Sequence, residues 1–183
     1  WDIMTDLIKS RKRPVKILNL FAYTGGASIA CAKAGASVTH VDAAKSMIDI
    51  AKTNAQINDI SNIRFIQDDC MKFVMREIRR GNKYDAIIMD PPSFGRGPKG
   101  ETWKIEDDIY EFVKLCASLL SDDRLFVLIN SYTTGLQPTV MANILNSTIS
   151  GGECDAYEIG LPTDEPGIIL PCGCSAIETF KNT

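Results

Sequence analysis

The 183-residue sequence has a single histidine, His40, and no apolar run that approaches the roughly 20 residues needed to span a bilayer. With one histidine, a zinc site would need several cysteines. Of the six present only Cys172 and Cys174 lie close together, and a Cys-x-Cys pair matches no common ligand spacing. No metal site is therefore expected. Cys31, Cys70 and Cys116 fall in segments that read as helices, where core packing is their expected use. Neither a membrane span nor a secretory signal is expected, because the opening Trp1-Asp2-Ile3-Met4 lacks a basic and then apolar block. The expected location is the cytoplasm. Positive charge is also in short supply: 20 Lys and Arg face 23 Asp and Glu, for a net charge of −3. Overall electrostatics thus make no case for nucleic-acid binding, and the basic clusters at 9–13 and 76–83 read as solvated faces.

What is present is the composition of a globular domain, 45% hydrophobic and 23% charged. Residues 1–183 read as one domain, and the helix-like start without an initiator methionine suggests a preceding amino-terminal domain. Two periodicities alternate along the chain, as in a parallel sheet with crossover helices. Strands are expected at 15–20, 37–42, 63–67, 84–90 and 125–130, with two more at 155–161 and 175–180. Helices are expected at 27–34, 44–58, 71–80, 106–120 and 137–149, with Gly35 and Gly81 as terminators. Pro91-Pro92 must stop the fourth strand, since proline cannot continue a central ladder. Residues 93–103, with Gly95, Gly97, Pro98 and Gly100, read as a loop free to move over a site.

In an open parallel sheet, ligands bind beyond the carboxyl ends of the strands near the point where strand order reverses. Three successive strand ends here carry suggestive residues. The first runs into Phe21-Ala22-Tyr23-Thr24-Gly25-Gly26, where paired glycines let backbone approach a ligand before a helix begins. The second ends in Asp42, placed to accept from the two hydroxyls of a ribose. The third leads into Asp68-Asp69, where a carboxylate could accept from an adenine amino group. Taken singly these are ordinary turn and cap residues; in order they indicate a nucleoside cofactor. A dinucleotide is disfavoured, because Phe21 and Tyr23 would obstruct the glycine turn that cradles a pyrophosphate. A phosphate-free sulfonium cofactor fits better.

These segments resemble the class I S-adenosylmethionine-dependent methyltransferases, specifically the branch of bacterial large-subunit ribosomal RNA methyltransferases. The resemblance covers about residues 1–130. Residues 19–28 are similar to that branch's cofactor loop and 41–45 to its ribose-binding segment. Residues 67–69 are similar to its adenine-binding segment, and Asp90-Pro91-Pro92-Ser93-Phe94 to its substrate-facing motif. The chain departs from the wider family at Asn19, where an acidic residue is common, and at Phe21 and Tyr23, where glycines are common; within the branch these departures are expected.

The resemblance implies a doubly wound, Rossmann-like α/β fold with a seven-stranded, mostly parallel sheet whose last strand is antiparallel. It implies S-adenosylmethionine held by Phe21, Ala22, Tyr23, Thr24, Gly25, Gly26, Ser28, Asp42, Ala43, Asp68, Asp69 and Asp90. Asp90, Pro91, Pro92 and Phe94 are the expected catalytic set, with Asp90 and the Pro91 carbonyl accepting from a nitrogen and Phe94 stacking on a base. The implied substrate is RNA, expected to be a ribosomal base. Methylation at carbon 5 of a pyrimidine needs a cysteine, which in the matching enzymes follows the fifth strand. Asn130-Ser131-Tyr132-Thr133 stands there instead, so a nitrogen or oxygen acceptor is favoured. Cys172 and Cys174, in what reads as a late loop, are expected to be structural or incidental. Arg96, Lys99 and Lys104 beside Trp103 suit either a loop closing over RNA or a solvent loop with Trp103 packed inward. The alternatives are a methyltransferase of small molecules or proteins, and a non-catalytic cofactor-binding or RNA-binding module.

Overall fold

A computed structural model describes residues 1–96 and 102–181. Alternation of buried strands with amphipathic helices produces the order α1 (Asp2–Ser10), β1 (Lys16–Leu20), α2 (Gly26–Lys33), β2 (Ser37–Asp42), α3 (Lys45–Ile57), β3 (Ile63–Gln67), α4 (Cys70–Arg80) and β4 (Ala86–Met89). A two-stranded ribbon follows, β5 (Phe94–Arg96) and β6 (Thr102–Lys104), then α5 (Ile105–Ala117), β7 (Phe126–Ser131), α6 (Pro138–Thr148), β8 (Glu153–Pro162) and β9 (Ile169–Thr179). Seven strands form one sheet in the order β3-β2-β1-β4-β7-β9-β8. All are parallel except β9, which runs antiparallel to both β7 and β8. The expected doubly wound sheet with its last strand reversed is what forms.

The central strands are apolar on both faces because helices cover both. On β4, Ile87 and Met89 join Phe73 and Val74 of α4, Phe112 of α5 and Leu145 of α6 in one core. Ala86 and Ile88 point the other way, into a core with Met4 and Ile8 of α1 and Cys31 and Ala32 of α2. Each large side chain removed from water contributes about 1.5–3 kcal/mol. Helix ends follow their sequence signals: Asp69 caps α4 by accepting from the Lys72 N–H at 2.9 Å, and Gly81 closes it at φ 68°. Strand order reverses between β1 and β4, since β1 leads outward to β2 and β3 before the chain returns to β4. That reversal opens a crevice at the carboxyl edge of the sheet.

Three expectations change. The segment after Pro92 is not simply a loop, because Phe94, Gly95 and Arg96 pair with Lys104, Trp103 and Thr102. Gly97, Pro98, Lys99 and Gly100 lie outside the described residues. Trp103 packs inward, its ring 5.3 Å from Phe21 and 5.5 Å from Phe112. The two late strands are longer than periodicity indicates, because Ile169 to Gly173 pair with β8 beyond the part of β9 that reaches β7. Cys172 and Cys174 consequently lie on β9 and not in a loop.

Candidate active site

The crevice holds two cavities, of about 790 and 450 Å³, that share Phe21, Tyr23 and Asp90 as walls. The turn after β1 separates them. Phe21 and Tyr23 sit in the left-handed region, at φ 55° and 49°, as does Gly25 at 88°. For a residue with a side chain this costs on the order of 1 kcal/mol, so the turn must be held from outside. The Tyr23 N–H donates to Asp42 Oδ2 at 2.9 Å, Asn54 of α3 donates to the Thr24 carbonyl at 2.9 Å, and the Phe21 N–H points at Cys70 Sγ. A Cβ at Gly25 would press on Ala51 at 3.2 Å, and one at Gly26 would stand 2.8 Å from the Trp1 ring. The glycines thus admit neighbouring side chains as well as a ligand.

Beneath the turn, Asn19 Nδ2 donates to Ser28 Oγ at 2.9 Å, and Ser28 Oγ lies 3.0 Å from His40 Nδ1. All three are buried, and burial lowers the His40 pKa to about 4, so the ring is neutral. Ser28 therefore braces the turn from below and borders neither cavity. Its expected contact with cofactor is replaced by this network.

The wider cavity is lined by Asp42, Ala43, Asp68, Asp69, Pro91 and Pro92, from three strand ends, with Met47 and Trp103. Asp42 braces both sides of its own strand end, accepting from Tyr23 and, at 2.9 Å, from the Ala44 N–H; each oxygen retains a lone pair for a ligand. Asp68 is ion-paired with Arg76, whereas Asp69 is occupied as the cap of α4. The narrower cavity is lined by Ala22, Thr24, Gly25 and Gly26 on one side and by Asn130, Tyr157 and Ser175 on the other.

Asp90 stands where the cavities meet. Burial pushes its carboxyl pKa up, against donation from Tyr132 and, next in weight, Asn130. Tyr132 Oη donates to Oδ2 at 3.2 Å, and Oδ1 is buried with no hydrogen-bond partner among the described residues. Burial, with Asp90 beside it, raises Tyr132 to about 12, so the phenol remains a donor. Pro91 and Pro92 follow in the wall, and the Pro92 carbonyl is taken by Trp103 Nε1 at 2.7 Å. Phe94 lies outside both linings, 51% exposed, with the Arg96 guanidinium 5.8 Å from its ring centre. Asn130, Tyr132, Ser175 and Trp103 also line the cavities; Asn130 and Tyr132 are flagged in the sequence by their place at the end of the fifth strand and Trp103 by its loop, whereas Ser175 carries no such signal. Among the described residues no three His, Cys, Asp or Glu side chains are grouped to hold a metal.

A reversed-order parallel sheet with a phosphate-free turn, acidic residues at the next two strand ends and Asp-Pro-Pro after the fourth defines a nucleoside-cofactor transferase of Rossmann-like build. Residues 5–142 match the family model for S-adenosylmethionine-dependent methyltransferase. The chain belongs to that family. Over 82 residues it is 43% identical to ribosomal RNA large subunit methyltransferase I of Aeromonas salmonicida, covering 43% of this chain and 21% of that protein. Over 129 residues it is 34% identical to ribosomal RNA large subunit methyltransferase K/L of Shewanella frigidimarina, covering 68% of this chain and 18% of the relative. The chain thus spans about a fifth of the length of these curated relatives. A crystal structure of a SAM-dependent methyltransferase from Agrobacterium tumefaciens superposes with a TM-score of 0.93 at 35% identity, over 99% of this chain and 61% of that one.

Proposed function

We propose that residues 1–183 form the catalytic domain of an S-adenosylmethionine-dependent methyltransferase that modifies a nitrogen of an RNA base, with ribosomal RNA in the cytoplasm as its substrate. The observation that carries this reading is the buried, unpartnered Oδ1 of Asp90 at the junction of two cavities. No helix among the described residues is long and apolar enough to cross a membrane.

The residues present fit the cofactor. Asp42 offers a carboxylate to a ribose diol, and Asp68 offers one to an adenine amino group at the far wall of the wider cavity. Gly25 and Gly26 present backbone to the narrower cavity, which has room for an amino-acid arm. When bound, S-adenosylmethionine supplies an electrophilic methyl group on a sulfonium. The protein's task is to align an acceptor and exclude water. Asp90 Oδ1 accepts from the N–H of the acceptor, turning the nitrogen lone pair toward the methyl group, and its raised basicity suits it to take the released proton. Tyr132 holds that carboxylate by donating to Oδ2.

A base as acceptor is supported by the exposed rings of Tyr23 and Tyr132 in the wall of the wider cavity and by Arg96, which lines the same cavity and lies against the exposed Phe94 ring, since rings and cations together suit a single-stranded nucleic acid. RNA is further supported by the two ribosomal RNA methyltransferases named above. The test is transfer of a tritiated methyl group from S-adenosylmethionine to undermethylated ribosomal RNA, followed by mass spectrometry of the nucleosides. Label on a base nitrogen is expected. Label found only on small molecules or protein removes the RNA reading, and label on carbon 5 removes the nitrogen reading.

A further inference from the structure

Asn130 is the last-but-one residue of β7, and the antiparallel register sets it directly opposite Ser175 of β9. The Ser175 hydroxyl donates to Asn130 Oδ1, and Ser175 is buried. An amide side chain has two unlike ends, an acceptor oxygen and a donor nitrogen, and rotation by half a turn exchanges them. With its oxygen engaged by Ser175, Asn130 can present only its NH₂ group to the neighbouring Asp90 carboxylate, which is the end a carboxylate requires. Asn130, Asp90 and Ser175 line the same cavity, and Asn130 acts to lower the carboxyl pKa against the larger rise from burial.

We propose that Ser175 is a positioning residue for methyl transfer: by donating to Asn130 Oδ1 across the β7–β9 pair, it fixes the Asn130 NH₂ toward Asp90 and thereby holds the acceptor-binding carboxylate in one orientation. This rests on the reading of Asp90 given above. Tyr132 donates to Oδ2 of the same carboxylate from beyond β7, while the buried Oδ1 has no hydrogen-bond partner among the described residues. The arrangement gives β9 a role in the site. The reversed strand brings a hydroxyl to the narrower cavity, where Ser175 and Asn130 both form wall.

The experiment compares Ser175→Ala, Ser175→Thr and Asp90→Ala with the parent protein in three measurements: methyl transfer, cofactor affinity by calorimetry, and hydrogen exchange of the Asn130 side-chain amide. That amide is assigned by its loss in Asn130→Asp. Ser175→Ala is expected to lower kcat by about tenfold with cofactor Kd unchanged and to speed Asn130 NH₂ exchange, while β7 and β9 backbone amides stay protected. Ser175→Thr, which keeps the hydroxyl, should restore both. Unchanged exchange and kcat in Ser175→Ala, with activity abolished in Asp90→Ala, overturns the positioning role and leaves the reading of Asp90 intact. Faster exchange in Ser175→Ala, with kcat unaffected there and in Asp90→Ala, upholds the orientation of Asn130 but overturns the role of Asp90 and with it the link to catalysis. Loss of backbone protection in both Ser175 variants overturns the proposal in favour of a role in holding the sheet.

Discussion

Asp42 Oδ2 accepts the backbone N–H of Tyr23 at 2.9 Å, so the carboxylate offered to the ribose also holds the turn against which the cofactor would lie. Asp42→Ala removes both functions, whereas Asp42→Asn keeps one acceptor oxygen. S-adenosylmethionine affinity measured by calorimetry should fall on the order of 100-fold in the first variant and less in the second, since hydrogen bonds to a charged group contribute about 1.5–3 kcal/mol each. Equal affinity in Asp42→Ala and the parent would refute the cofactor assignment.

Trp103 joins three parts of the site, touching Phe21 and Phe112 with its ring and the Pro92 carbonyl with its indole N–H. Trp103→Phe keeps ring packing and loses the hydrogen bond. Urea denaturation should show a loss of about 1 kcal/mol in Trp103→Phe and about 3 kcal/mol in Trp103→Ala. Both variants should also lose methyl transfer, because Pro92 is released. Full turnover in Trp103→Phe would mean that the Pro92 contact does not position the motif.

Acid stability should depend on Asp85. Burial would raise its pKa, but the Arg13 guanidinium, bound to both oxygens at 2.9 and 3.1 Å, with the Lys16 N–H and the Ser121 hydroxyl, holds it below the usual carboxylate range. A lowered native pKa contributes stability above the unfolded value of about 3.9, and that contribution disappears as pH falls through the native value. Asp85→Asn should therefore be less stable at pH 7, by about 2 kcal/mol, and show a flatter stability profile below pH 4 in urea titrations. Parallel profiles for the two proteins would sink this account.

Asp90 has the opposite sign. Its pKa is raised by burial, so its charge disfavours the folded state above the unfolded carboxyl value. Asp90→Asn should melt higher than the parent at pH 7 while losing turnover, and the difference should shrink as the medium is acidified. A lower melting temperature at pH 7 would show that the Tyr132 and Asn130 contacts outweigh burial.

Cysteine chemistry is testable directly. Cys174 is buried, its Sγ donating to the Leu136 carbonyl at 3.0 Å, and burial pushes its pKa up, which suits packing and not attack. Cys172→Ser and Cys174→Ala should each retain kcat within about twofold. A loss of more than about 100-fold in either would point to a covalent route and against a nitrogen acceptor.

Much of this fold was legible because it is local. Strand β2 and strand β3 begin and end where alternation of polar and apolar residues places them, and α4 ends at its glycine. The places of Gly25, Asp42, Asp68 and Asp90 in the fold are legible for the same reason, since each ends or follows a strand whose limits are set by nearby residues. The place of Ser28 is not legible in this way, because its neighbours Gly26 and Ala27 line the narrower cavity while its own hydroxyl turns inward to His40, 12 positions away. Local sequence leaves Trp103 equally suited to solvent loop or core, and only the fold brings Phe21 and Phe112 beside it.

By itself the sequence determined the alternation of strands and helices, the turn that excludes a pyrophosphate and the Asp-Pro-Pro stop, because each depends on propensity and spacing within a few residues. The tertiary structure alone decided the register in which β9 lies against β7 and therefore that Ser175 faces Asn130, 45 positions earlier. That pairing depends on where β9 enters the sheet, between β7 and β8, and no local pattern encodes the register of strands so far apart. The orientation of the carboxylate at the site is thus a property of the assembled sheet.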